Sequence, residues 1–450
     1  MEVEVEVISS DTIKPSTPTP PHFRHYRLSF LDQVIPPVFM PLLLFYPQTA
    51  ATSGFTQEHK SNNLKTSLSR TLTKFYPLAG RIVNNVHIDC SDAGVPYTEA
   101  RSHCQLSDLI SDPSPSEFIK FLPCEFGDVG DVPLAVRVNF FDCGGVVVSM
   151  AISHKVADGF ASIFFMNCWA AAGRGGDGDV ASPWLDGAEL FPPREMAGFN
   201  PRTGMVKDPI VTKRFVFTAS KISSLIDKCT DDSSPDPKRP TRIEALSAFV
   251  WTRFMASAHS ENDPNKIYTI LHAVNLRTRA NPPLPDHYFG NISRIAITVP
   301  SMIDGPPKCY EIVNQVTAVV ELGRDQCGQG LPLVRGVIRK VDEEYVRMLG
   351  EGDNHLNTLK ERASMFTKGE MVSLNFTSLC RFPLYDADFG WGKPVWVSTA
   401  PMPFKNLVVF MDTHSGDGIE AWVNLKAEDM AKFEADEELL AFVSPTKVAK

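Results

Sequence analysis

Residues Val146 to Ser153 read Val-Val-Val-Ser-Met-Ala-Ile-Ser, a run with almost no polar side chain that stops at a histidine. A strand of that composition needs both faces buried, so it predicts an interior strand of a larger sheet. The chain continues His154-Lys155-Val156-Ala157-Asp158-Gly159 and enters a helix-like run from Phe160 to Ala172. Strand, turn and helix in that order place His154 where the chain emerges from the core, a usual address for a reacting group. Upstream, Leu134 to Phe141 is strand-like, and Asp142-Cys143-Gly144-Gly145 between the two runs reads as a hairpin turn, because glycine supplies positive φ.

Further strand-like runs (Val3 to Ile8, Arg214 to Phe217, Ile267 to Val274, Val395 to Thr399, Leu407 to Asp412) interleave with helix-like ones. Asn63 to Tyr76 sets Leu64, Leu68, Leu72 and Phe75 on one helical face. Thr241 with Glu244 three positions on has capping-box spacing before an apolar run through Phe249 and Trp251. Alternation of this kind predicts an α/β chain. At 450 residues it exceeds the size at which one core stops growing, so two domains are expected. Met196 to Lys213 is rich in Gly, Pro, Asn and charge without periodicity; it predicts a linker over 196–213 between domains at 1–195 and 214–450.

Composition removes several classes. The formal charge of -9 disfavours nonspecific attraction to nucleic acid or an anionic membrane face. The longest apolar stretch, Val34 to Tyr46, is broken by prolines and falls short of the roughly 20 residues a bilayer span needs. The opening segment lacks the basic-then-apolar order of a secretory signal, and nine scattered cysteines without a C-x-x-C pair suit reduced thiols, which together predict a cytoplasmic protein. The sequons at Asn291 and Asn375 then read as chance. The histidines form no recognisable metal-ligand set. Gly173 to Gly178 matches G-x-G-x-x-G but follows a helix-like run and leads into none, so it reads as a loop.

A neutral imidazole at His154 can accept a proton from an alcohol, its reference pKa of about 6.5 lying near the working range. Asp158, across the turn, either orients that imidazole or turns away to pair with an arginine. No G-x-S-x-G elbow occurs, and Cys143 lies at the far end of the strand, so direct transfer at one histidine fits better than a covalent route. Asp388-Phe389-Gly390-Trp391-Gly392 reads, taken alone, as a structural corner.

Three blocks, Tyr76-Pro77-Leu78-Ala79-Gly80-Arg81, His154 to Gly159 and Asp388 to Gly392, resemble in order and separation the plant BAHD acyltransferase family. The resemblance extends to Leu28-Ser29-Phe30-Leu31-Asp32-Gln33, Ala273 to Arg277 and Asp412 to Trp422, and so spans essentially the whole chain. It implies a monomer of two similar-sized α/β domains, related to chloramphenicol acetyltransferase, with a solvent channel between them. Acyl-CoA and a small-molecule alcohol would meet at His154 as co-substrates, with no tightly bound cofactor. Asp158 would support the fold, with Arg277 its partner, and Asp388 would hold the fold near the channel although it is often grouped with the active site. CoA phosphates require basic residues in an acidic protein: Lys238, Arg242 and Arg381 are candidates, with Thr241, Ser378, Ser398 and Thr399 as hydroxyl donors. The texture of Asn139 to Gly145 and Pro282 to Pro285 is similar to the branch that acetylates alkaloids and terpenoids. Acetyl-CoA and a bulky polycyclic alcohol are therefore expected, with aromatic acyl-CoA on phenolic acceptors, or an inactive metabolite-binding relative, as alternatives.

Overall fold

The computed structural model describes the chain apart from residues 1–2, 51, 125–129, 176–180, 202–208, 231–238, 259–262, 264, 301–311, 313–315, 319–340, 351–353 and 445–450. Lys238 and residues 176–178 of the Gly173 to Gly178 loop lie outside the described residues. Two mixed sheets, six- and seven-stranded, organise two α/β lobes.

The first sheet has the order β1 (Val5–Ile13), β6 (Val95–Ser102), β7 (Leu134–Phe141), β8 (Val146–Ser153), β3 (Phe39–Tyr46), β14 (Trp396–Ser398). Every residue of β8 is buried, as its unbroken apolar run requires, and it pairs antiparallel with β7 on one side and β3 on the other. Gly144, at φ +77°, closes the hairpin to β7. The helix Gln57–Lys74 buries Leu64, Leu68 and Leu72 completely, one face at four-residue spacing. It packs on the helix Gly159–Gly173, whose Trp169 indole donates to Leu64 O at 3.1 Å and Ser67 Oγ at 3.1 Å. A small sheet of β2 (His25–Arg27), β5 (His87–Asp89) and β4 (Arg81–Val83) lies outside these layers.

The second sheet has the order β12 (Val316–Ala318), β11 (Ser293–Pro300), β10 (Ile267–Asn275), β13 (Met371–Ser378), β15 (Leu407–Asp412), β16 (Ile419–Lys426), β9 (Ile210–Phe217). The helix Arg242–Ala258 covers it with fully buried Ala245, Leu246, Phe249 and Trp251. The expected capping box is present: Thr241 N donates to Glu244 Oε2 at 2.7 Å, and Glu244 N to Thr241 Oγ1 at 3.3 Å.

Two features cut across the division drawn from sequence. β9 begins at Ile210, inside the segment read as linker, because Ile210 to Lys213 pair with Lys426 to Val423 along the edge of β16. β14, from the second half of the chain, adds to β3 of the first sheet with Trp396 opposite Phe45. The Trp396 indole donates to Glu420 at 3.1 Å, and Glu420 also takes Arg214 at 2.7 Å, so a buried ion pair on the second sheet holds a strand of the first. The cysteines likewise depart in one place from an all-thiol chain. Cys229 is disulfide-bonded, because proximity of two sulfurs is set by the fold and not by sequence spacing; Cys90, Cys104, Cys124, Cys143, Cys168 and Cys380 are free.

Candidate active site

His154 leaves the end of β8, a strand pinned on both sides, so its main chain is fixed before the side chain is considered. Its N–H donates to Val38 O at 2.8 Å, and its carbonyl accepts from the Asn291 side-chain amide at 2.7 Å. Nδ1 lies 3.0 Å from Ala157 O. A carbonyl oxygen only accepts, so Nδ1 carries the proton and Nε2 carries the lone pair. The residue as a whole is half-buried. Burial holds the imidazole below its usual 6.5, opposed by the Asp158 charge and by hydrogen bonding from Ala157 and Asn291. The ring is therefore neutral near pH 7, the state a general base needs.

Asp158 resolves to the second of its two readings. It caps the helix Gly159–Gly173, Oδ1 accepting from Ala161 N at 2.8 Å. Arg277 meets it in a fork, Nη1 to Oδ2 at 2.8 Å and Nη2 to Oδ1 at 3.2 Å, and Ile292 N adds 3.0 Å to Oδ2. Both carboxylate oxygens are occupied by donors other than the imidazole. Arg277, fully buried, gives Nε to Tyr288 O at 3.1 Å and Nη1 also to Asn275 Oδ1 at 3.3 Å. The motif aspartate thus ties the turn beside His154 to the opposite lobe.

Asp388 is not brought to His154. Its Oδ1 accepts from Gly390 N at 2.8 Å and Gly392 N at 2.9 Å, closing a turn in which both glycines have positive φ. Phe389 packs edge-on against Trp169, 5.1 Å between centroids, and its carbonyl accepts from Asn63 Nδ2 at 3.1 Å. A Cβ on Gly173 would stand 3.0 Å from the Phe389 ring, so this turn sits at the far end of the 15-residue helix that Asp158 caps. The ends of such a helix are about 20 Å apart. Grouping Asp388 with the reacting residues is therefore corrected: its carboxylate is committed to its own turn, a helix length away.

The candidate CoA contacts divide similarly. A cavity of about 270 Å³ is lined by Ile243, His272, Asn275, Arg279 and Ser378, with further wall from Phe376 and Phe410. Thr241 and Arg242 precede Ile243 at the start of their helix. Arg242 pairs with Asp412 at 3.1 Å, and Arg381 N donates to the other oxygen of Asp412 at 2.5 Å. Leu379, next to Ser378, is the side chain a Cβ on Gly159 would strike at 2.7 Å, so the chain that leaves this cavity at Ser378 touches the first residue of the helix after the His154 turn. Ser398 and Thr399 do not join that group. Both are buried, and their hydroxyls donate to Thr399 O at 3.1 Å and Pro41 O at 3.2 Å.

Sequence reasoning missed three buried groups at the motif. Lys155 donates to Asp32 O, Gln33 O and Ile35 O at 2.8, 3.0 and 2.7 Å, while burial pushes its ammonium down to about 7. Asp32 and Asn291 are the others. The Ser29-x-x-Asp32 spacing, a capping box in the structure, was the signal that could have drawn attention to Asp32.

Comparison with known proteins agrees with this architecture. A model of the Transferase family matches residues 3–440. The chain belongs to this family, the BAHD acyltransferases. It is 36% identical over 445 residues to stemmadenine O-acetyltransferase of Catharanthus roseus, covering 97% of each chain. It is 34% identical over 450 residues to limonoid 21-O-acetyltransferase of Melia azedarach, covering 98% of this chain and 99% of that one. The crystal structure of vinorine synthase superimposes with a TM-score of 0.77 at 32% identity, covering 99% of this chain and 100% of that one. This BAHD chain is accordingly an acyltransferase with the two-lobed fold of its family. Among its described residues no helix is long and apolar enough to cross a membrane, and no group of three or more His, Cys, Asp or Glu could hold a metal ion.

Proposed function

We propose that this enzyme transfers acetyl from acetyl-CoA to a hydroxyl of a plant terpenoid or alkaloid, with His154 as the group that moves the proton. The observation carrying the mechanism is the bond between His154 Nδ1 and Ala157 O, which leaves the lone pair on Nε2. As the acceptor oxygen attacks the thioester carbonyl, Nε2 takes the hydroxyl proton. As the tetrahedral species collapses and the C–S bond breaks, Nε2–H returns that proton to the departing thiolate. One imidazole acts first as base and then as acid, and the enzyme regains its starting state.

Asp158 enters as support, holding the motif turn against Arg277. Asp388 enters as a structural carboxylate. Ser378 and Arg279, which line the cavity, and Thr241, Arg242 and Arg381 beside it are the CoA contacts this reading favours. The acceptor class rests on relatives named for acetylating stemmadenine and limonoids. We further read the enzyme as a monomer, since the Asp158 and Arg277 pair comes from the two lobes of one chain, and as cytoplasmic, which the six free cysteines among the described residues suit.

The test is incubation with labelled acetyl-CoA and a panel of terpenoid, alkaloid and phenolic alcohols, with products read by mass. His154→Ala is expected to lower kcat about 10²- to 10⁴-fold on whichever alcohol is turned over. Unchanged turnover by that variant overturns the mechanism, and labelling of phenols alone overturns the acceptor class.

A further inference from the structure

Asn291 heads a sequon, yet it is fully buried and its side chain lies between the two lobes. Its Nδ2 donates to His154 O at 2.7 Å and to Asp32 Oδ1 at 2.8 Å, and its backbone N–H reaches the same Asp32 oxygen at 3.2 Å. Each neighbour is an acceptor, so the NH2 end must face them, and its two protons are both used. Asp32 is itself held: its Oδ2 accepts from Ser29 N at 2.8 Å and Ser29 Oγ at 2.7 Å. Lys155, the residue after His154, grips the carbonyls that end the same short helix, Phe30–Val34. The main chain of His154 is thus fixed through N–H by its own lobe at Val38 and through C=O by an amide from the other lobe.

These bonds reach the main chain of His154 and not its ring, while the Asn291 side chain also opposes the fall of the imidazole pKa. They set where the His154 Cα stands, while the bond to Ala157 sets how the ring turns. Nε2 must lie within hydrogen-bond reach of an alcohol bound between the lobes, so its height above β8 has to match the separation of the two sheets. Asn291 couples the two, because it rides on the second lobe and holds the carbonyl of the residue that reacts.

We propose that Asn291 is a positioning residue for acyl transfer, setting the placement of His154 relative to the second lobe through the His154 carbonyl and using Asp32 as its anchor. The proposal rests on His154 being the base.

Four variants test it: Asn291→Ala, Asn291→Asp, the exchange Asp32→Asn with Asn291→Asp, and His154→Ala as control. Each is followed by thermal melting and by kcat and KM for acetyl-CoA and for the alcohol turned over. Misplacement by about 1 Å can cost on the order of 100-fold, so Asn291→Ala and Asn291→Asp are expected to lose about 10- to 100-fold in kcat with KM changed less than about threefold. The exchange is the discriminating case. The amide then at position 32 donates to the carboxylate then at position 291, which restores the tie between lobes, but His154 O still faces a carboxylate oxygen. Melting should recover and kcat should not.

Recovery of kcat together with melting would show that only the tie between lobes matters and overturn the proposal. So would wild-type kcat in Asn291→Ala, or a loss that follows the unfolded fraction. If neither single variant folds, the amide serves folding and the proposal also fails. Turnover by His154→Ala would instead remove the base assignment, whatever the Asn291 variants do.

Discussion

Two carboxylates sit in the two motifs that mark this chain, and the structure uses them in opposite ways. Asp158 binds across the molecule, to Arg277 119 positions on and to Ile292 134 positions on, in a site from which water is excluded. Among the described residues, Asp388 binds only to its own turn, two and four positions on, with its side chain partly open to solvent. One carboxylate assembles two lobes and the other shapes a loop. A buried ion pair is sensitive to loss of one partner, because the survivor is left charged and unpaired, whereas a local turn loses only its hydrogen bonds. Shared residue type in a motif therefore does not imply shared duty.

The largest expected effect follows from that asymmetry. Asp158→Ala leaves Arg277 buried without its counter-charge and should destabilise the protein by about 3–5 kcal/mol in chemical denaturation. Replacing both partners with apolar residues of similar volume should cost less than the single change, since no orphaned charge remains. A double variant as unstable as the single one would mean that the fork matters for its hydrogen bonds and not its charge.

Asp388→Ala should cost less, about 1–3 kcal/mol for two backbone N–H groups left without an acceptor. Its kcat should stay near the parent value at temperatures where the variant is folded. A hundredfold fall in kcat without loss of folded protein would break the comparison, by showing that the DFGWG turn acts on the reaction. Gly392→Ala probes the same turn from the backbone side. The φ of +101° disfavours any side chain, while a Cβ there would meet nothing within 4 Å, so strain is the whole effect. A loss of about 1–2 kcal/mol in melting or denaturation is expected.

The same contrast between local and distant partners explains what the sequence disclosed. β8 and its helix were legible because an unbroken apolar run and a strand-turn-helix order are local patterns, as was the Leu64, Leu68, Leu72 stripe. His154 stood out for that reason, while Arg277 as the partner of Asp158 came through family resemblance and not from any spacing. Asn291 was read as a chance sequon because its surroundings are supplied by residues 137 and 259 positions away. The Thr399 hydroxyl reads as available because nothing local shows that the chain crosses to the first sheet at β14 and spends it on Pro41 O, whereas the Ser398 hydroxyl is spent locally on Thr399 O. Asp388 was grouped with the active site by motif, although its hydrogen bonds to Gly390 and Gly392 are implicit in the five residues themselves.

The smallest effect separates the two carboxylates by charge alone. Burial lowers the His154 pKa from 6.5, and the Asp158 charge partly offsets this by favouring the imidazolium; Asp388 is a helix length away. The base must be neutral, so kcat/KM should fall as pH drops through a value below 6.5. Stability carries the same sign: a depressed imidazole pKa means the unfolded chain binds more protons between the folded value and 6.5, so this contribution is complete above 6.5 and lost as pH falls through that window. Asp158→Asn removes the offsetting charge and should move the acid limb of kcat/KM to still lower pH, whereas Asp388→Asn should leave it in place. Profiles measured well below each variant's melting temperature decide the point. An acid limb that moves equally in both variants would mean that the two charges reach the imidazole alike, and one that moves upward in Asp158→Asn would mean that the limb reports a group other than His154.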